Sequence, residues 1–189
     1  MTGLGHNNGP SLDEGASWRT HCWRQARAAL LPTLPVEVVR LRVARARALG
    51  LDYRTYAGVR ATTGRDLVAF LFSSNALGLL KTTDALPPDR RARLAAMDAR
   101  RLAAVQPPLD PARVLALAPL HAAHRAPLST EGWGATRARL RAMLGTLPPD
   151  GVLLVAETEA ERAWCATARL AGVVTGARLF APHSGGALP

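Results

Sequence analysis

Four stretches of the chain hold residue types that could do chemistry: Ser73-Ser74-Asn75, His121 with His124, Glu157-Thr158 and His183-Ser184 each follow a short apolar or alanine-rich run. Hydroxyls, imidazoles and a carboxylate are the raw material of acid–base catalysis. Ser73, Ser74 and Asn75 also precede a predicted short helix, whose free N–H groups and dipole could hold an anion. Each group has a plainer reading too. Ser and Asn at a strand-to-helix turn are ordinary N-caps, and Glu157 with Glu159 and Glu161 forms an acidic first turn favoured by the helix dipole. His121-x-x-His124 is half a metal site without an identifiable third ligand, so neither a metal nor a cofactor is expected. If the strand ends converge, Ser73, Ser74, Asn75, His121 and Glu157 would share one ligand site, and the chain would be a small α/β enzyme or ligand-binding protein.

No specific catalytic signature supports the enzyme reading. Neither G-x-G-x-x-G, nor G-x-x-x-x-G-K-[ST], nor G-x-S-x-G occurs. A carboxylate closing a strand, as in Val155-Ala-Glu157, resembles one part of a toprim-like metal site, but the paired aspartates of that site are missing.

The second candidate chemistry is electrostatic. Ten arginines and two acids, Glu37 and Asp52, lie between Trp18 and Arg65, so this window carries +8 of a total formal charge of +10. Such a local excess suits a surface that meets DNA or RNA, or an acidic protein face. Arginine itself says little, because Lys81 is the single lysine and the ratio points to base composition. Ala46, Leu49, Gly50, Leu51, Tyr56 and Val59 have the spacing of two helices locked across a glycine turn. Over residues 40–62 this resembles a generic DNA-binding helix–turn–helix. That resemblance implies groove contact by Tyr53, Arg54 and Thr55, with Arg60 further along, and helical geometry sets Arg40 and Arg47 on one side of the first helix's apolar stripe and Arg42 on the other, where they could meet phosphate. The pattern departs at Arg45, where an apolar residue is usual, and at Gly58, which leaves a bare patch. On helical geometry Arg45 points away from the apolar stripe. If about four arginines meet phosphate, log affinity should fall with log salt at a slope of roughly −3 to −4. Trp18 and Trp23, set among Arg19, Arg24 and Arg27, could stack on unpaired bases.

The elements that would position these groups follow from periodicity and breakers. Residues 1–15 read as a disordered tail, and a helix runs from Ser17 to about Leu31, ended by Pro32 and Pro35. Val36, Val39, Val43 and Ala46 share one face of a helix over Val36 to Leu49, closed by Gly50. Asp52 caps a helix over Tyr53 to Ala61, and Gly64 ends it. From Arg65 the pattern changes. Continuous apolar runs at 67–72, 114–117, 152–155 and about 177–181 predict four strands buried on both faces. Helices are predicted at 75–80, 89–105, 130–144 and 159–171. Alternation of this kind predicts an α/β fold: an N-terminal helical segment, 16–64, then a mostly parallel four-stranded sheet with flanking helices, 65–182, and a flexible end, 183–189. Cys22 and Cys165, outside any metal or redox spacing, suit buried thiols in a reducing compartment. No segment reads as a secretory signal or a membrane span, so a cytoplasmic protein is expected. The reading that absorbs most of this is a nucleic-acid-associated binding protein; a structural component of a larger assembly, its arginines on an acidic partner, is a further alternative.

Overall fold

The computed structural model describes residues 34–181. The expected tail, the helix from Ser17 with Trp18, Trp23, Cys22 and three of the arginines, and the segment with His183 and Ser184 lie outside the described residues. The described residues 34–40 and 41–181 belong to two separate units.

Helix α1, Val36–Ala48, carries on into a tight glycine stop. Gly50 has φ +69°, and its N–H and that of Leu51 donate to the carbonyls of Arg47 and Ala46 at 2.9 Å each. This paired closure satisfies carbonyls that the helix end would otherwise leave open. Helix α2, Tyr53–Thr63, starts on Asp52, whose carboxylate accepts from Thr55 N at 2.8 Å, and stops at Gly64 in the left-handed region.

The sheet follows: β1 Ala69–Ser73, β2 Arg100–Val105, β3 Ala122–Arg125, β4 Val152–Val155 and β5 Gly172–Val174. All pairings are parallel and the spatial order is β3-β2-β1-β4-β5. The chain therefore builds outward from β1 on one side, then returns to lay β4 and β5 on the other. The junction of β1 and β4 is the switch point of a doubly wound sheet. The connections are α3 Ser74–Leu77, α4 Pro88–Ala96, α5 Pro111–Leu117, α6 Trp133–Leu144 and α7 Glu159–Ala168, and α8 Gly176–Phe180 follows β5.

Alternation along the central strands divides the interior in two. Phe70, Phe72, Ala103, Val105, Leu153 and Val155 face one core. That core also takes Ala46 of α1, Leu49 and Leu51 of the turn that follows and Tyr56 of α2, together with Leu94, Val114 and Leu179 from α4, α5 and α8. Ala69, Leu71, Leu102, Ala104, Val152 and Leu154 face the other, covered by Leu140 and Met143 of α6 and Trp164 of α7. The residues that would lock a helix–turn–helix are thus buried against a sheet.

The α/β fold and its parallel sheet are as expected, with five strands where four were expected. The run at 114–117 is helix α5: Asp110 caps it, accepting from Ala112 N, and Pro111 holds the first helical position. The expected strand near 177–181 is α8, capped by Thr175, and the strand there is the three-residue β5. The expected helix 89–105 splits into α4 and β2 with no glycine or proline between. Tertiary contacts make the break. Met97 is extended, Asp98 N donates to Ala48 O at 2.8 Å, and the Asp98 carboxylate meets Arg45 at 2.7 Å. No helix among the described residues is long and apolar enough to cross a membrane.

Candidate functional site

The carboxyl end of the sheet gathers Ser73, Ser74, Asn75 and Glu157, because the register sets Val155 beside Phe72. It does not gather His121. That residue precedes β3, and Leu102, level with Ala122, is also level with Leu71. His121 therefore lies at the amino end, about 13 Å along the strands and about 10 Å across them from Ser74. There its Nδ1 accepts from Arg101 N at 3.0 Å. Burial and the charges of Arg101 and Arg100 push its pKa down. His124 is three residues on, within an extended strand, and so points to the opposite face. The expectation of one site holding His121 with the serines is overturned by the helix at 111–117, which moves the strand end past His124.

Each of the four groups that do meet is engaged by another part of the protein. Ser73 Oγ accepts from Ala76 N at 3.1 Å, and Ser74 Oγ accepts from Gln106 N at 3.1 Å, tying β1 to the end of β2. Asn75 Nδ2 donates to Glu161 Oε1 at 2.8 Å. The other oxygen of Glu161 accepts from Glu157 N at 2.9 Å and Thr158 N at 3.1 Å, while Thr158 Oγ1 accepts from Glu161 N. This is a capping box that also reaches across the switch point. Glu161 is 1% exposed, so three N–H donors converge on a fully buried carboxylate. Glu157 Oε2 accepts from Gly176 N, where a Cβ would come within 2.4 Å of Ala76 O. The junction of β1, β4 and β5 is closed by the protein itself.

Open space lies beside it. A cleft of about 390 Å³ is bounded by the segments after β2 and β3, the start of α6, and one face of α7. Gln106, Ser129, Glu131, Trp133, Thr136 and Trp164 line it, with Ala160, Ala163 and Thr167 on the α7 wall. That α7 spacing is a single helical stripe. Trp133 is 63% exposed and carries the Arg137 guanidinium over its ring at 5.2 Å, whereas Trp164 is buried. Glu131 is held by Arg139 through two contacts of 2.7 and 3.1 Å, and that hydrogen bonding keeps its carboxyl below the usual range. The side chains of Gln106, Ser129 and Thr136 have no hydrogen-bond partner among the described residues.

The arginines of the basic window divide by what they touch. Arg45 does not point away: it donates to Asp66 at 2.9 Å, to Asp98 at 2.7 Å and to the carbonyls of Leu67 and Asp98. It clamps α1 to the start of β1 and to the segment before β2. Arg60 meets Asp66 at 3.8 Å, Arg65 meets Asp150 at 3.0 Å, and Arg40 meets Glu37 at 3.1 Å. Thr55 Oγ1 donates to Asp52 and accepts from Arg178 at 2.7 Å. Burial alone would raise the Asp52 carboxyl, but Thr55 and Arg178 hold it below its ordinary value. Arg42 is half-buried, with its Nε unpartnered. Tyr53 is half-buried, and Arg47 and Arg54 stand exposed without an acidic partner among the described residues.

Compared with protein-family models, with curated proteins and with solved structures, the chain gives no match. Sequence reasoning passed over Gln106, Glu131, Trp133, Thr136, Trp164 and the bridging role of Glu161. Thr158-x-x-Glu161 is a legible capping box. The cleft residues lie on three separate segments and share no spacing, so no sequence signal unites them.

Proposed function

We propose that the protein is a ligand-binding α/β domain whose small-molecule site is the cleft beside the switch point. One observation carries this reading: an exposed indole and three unpartnered polar side chains line a recess at the carboxyl end of a doubly wound parallel sheet. Open parallel sheets bind ligands at that end. A mostly apolar recess of a few hundred Å³ with a small number of polar groups has the dimensions of a small-molecule site.

The test is a thermal-shift and calorimetric screen of the full chain against aromatic metabolites, neutral and anionic together. At least one compound should raise the melting temperature, and Ala163→Leu, which fills the α7 wall with a good helix former, should abolish the effect. A screen in which no compound binds, or in which binding ignores Ala163→Leu, would remove the cleft.

A second reading keeps the basic surface as a contact for DNA or RNA. Arg47 and Arg54, exposed and unpaired, favour it, with Arg40, Arg42 and Tyr53 nearby in sequence. The internal pairing of Arg45, Arg60 and Arg65 leaves less free charge than the sequence count suggests. An acidic protein face would meet the same two arginines, and titration with labelled duplex and single strands separates these partners.

A further inference from the structure

We infer that the cleft takes an aromatic monocarboxylate, its ring held in the recess between the apolar walls and its carboxylate bound by Arg137. This rests on the reading of the cleft as a ligand site and narrows what the ligand is. Three observations bear on it.

The first is a cation at the cleft with no acid to meet. The Arg137 guanidinium lies over the ring of Trp133, a lining residue, at 5.2 Å, and has no acidic partner among the described residues. Contact with a ring face leaves the N–H donors of a guanidinium for an acceptor. Their planar fork matches a carboxylate at two points. The nearby acids are engaged elsewhere. Glu131 is held by Arg139, Glu159 meets Arg162 at 3.4 Å, and buried Glu161 accepts from Asn75 and from two backbone N–H groups. The second is the start of α7. The N–H groups of Glu159 and Ala160 have no acceptor among the described residues, and Ala160 lines the cleft. Their partial positive charge adds to that of Arg137 and favours a negative group on this side of the sheet end. The third is the wall itself. Pro107, Pro127, Leu128, Ala163 and Trp164 make most of it apolar. Apolar walls beside one cation suit an apolar body with one negative charge, and two lining indoles favour a planar ring. A phosphate monoester brings about two negative charges at neutral pH, more than a single guanidinium offsets.

Calorimetric titration of the full chain with naphthoate, its isosteric amide and naphthyl phosphate tests the inference, using wild type, Arg137→Gln and Ala163→Leu. Arg137 is half-buried and belongs to neither core, so its replacement should leave the melting temperature unchanged. Wild type should bind naphthoate at least about tenfold more tightly than the amide or the phosphate. Arg137→Gln should bring naphthoate down to the level of the amide, and Ala163→Leu should lose both. If wild type binds the amide as tightly as naphthoate, the anionic class is wrong while the cleft stands. Tighter binding of the phosphate overturns the carboxylate. A preference for naphthoate that survives in Arg137→Gln overturns Arg137 as its anchor. A wild type that binds none of the three overturns the inference, and the wider screen with Ala163→Leu then decides separately whether the cleft binds anything.

Discussion

Arg45 shows at residue scale how a charge count misleads. In a list of basic residues it is one of ten; in the fold it satisfies two carboxylates and two carbonyls at the meeting of α1, β1 and the segment before β2. Its side chain is 27% exposed, so these bonds are only partly screened. Arg45→Ala should lower unfolding free energy by about 2 kcal/mol, the scale of a hydrogen bond to a charged group with its partner left behind, as urea denaturation would measure. Asp66 adds a pH dependence. Burial would raise its carboxyl, but hydrogen bonds from Tyr56 and Arg45 hold it below the ordinary 3.8. A depressed folded-state pKa contributes stability that is full above the unfolded value and lost as pH falls through the folded one. Melting temperature should therefore drop as pH falls below about 4, and Asp66→Asn should start lower at neutral pH and show a flatter acid limb. An unchanged acid limb in that variant would mean other carboxylates dominate.

Helix α7 is the element on which the site depends. Its first turn closes the switch point through Glu161, and one face of the helix, Ala160, Ala163 and Trp164, supplies one wall of the cleft. Two variants separate the ordinary cap from the bridge. Thr158→Ala removes one cap acceptor and should cost about 1 kcal/mol. Glu161→Ala strands Asn75 Nδ2 and two backbone N–H groups in a buried place, and should cost about 3 kcal/mol. Equal losses in chemical denaturation would show that Glu161 serves only its own helix. Helices α1 and α2 are also judged at this scale. The close of α1 at Gly50 and the start of α2 at Asp52 are as expected, and α2 runs two residues past the expected Ala61 to stop at Gly64. Their apolar residues lie in the same core as Phe70 and Phe72, so the pair is a layer of the α/β unit as well as a carrier of Arg47 and Arg54.

For the whole molecule, a formal charge of +10 predicts attraction to polyanions, and the distribution of partners sets its strength. Of the described arginines in the basic window, Arg47 and Arg54 are exposed and unpaired. If both meet phosphate on duplex DNA, the double variant Arg47→Ala/Arg54→Ala should flatten the slope of log affinity against log salt by about 2. Filter binding or anisotropy at several salt concentrations reads this directly. A slope unchanged by the double variant would place any polyanion contact elsewhere, and no binding at low salt would remove the nucleic-acid reading.

Local signals determined much of the architecture. Asp52, Gly50, Gly64 and Thr158 set helix ends through hydrogen bonds only a few residues long, and the apolar runs at 67–72 and 152–155 located β1 and β4 because strands buried on both faces tolerate few polar residues. Tertiary contacts decided the rest. Arg100-Arg101-Leu102-Ala103-Ala104-Val105 has no strong strand composition, and it is extended because its neighbours β1 and β3 hydrogen-bond to it. Ala122–Arg125 is likewise a strand only through β2. Asp110-Pro111 was a readable helix start, outweighed by the apolar run behind it. Strand order belongs to the assembled sheet, and order is what set His121 at the opposite end from Ser74. The cleft had no counterpart in the sequence, since Gln106, Trp133 and Ala163 meet only when β2, α6 and α7 are placed around one end of the sheet.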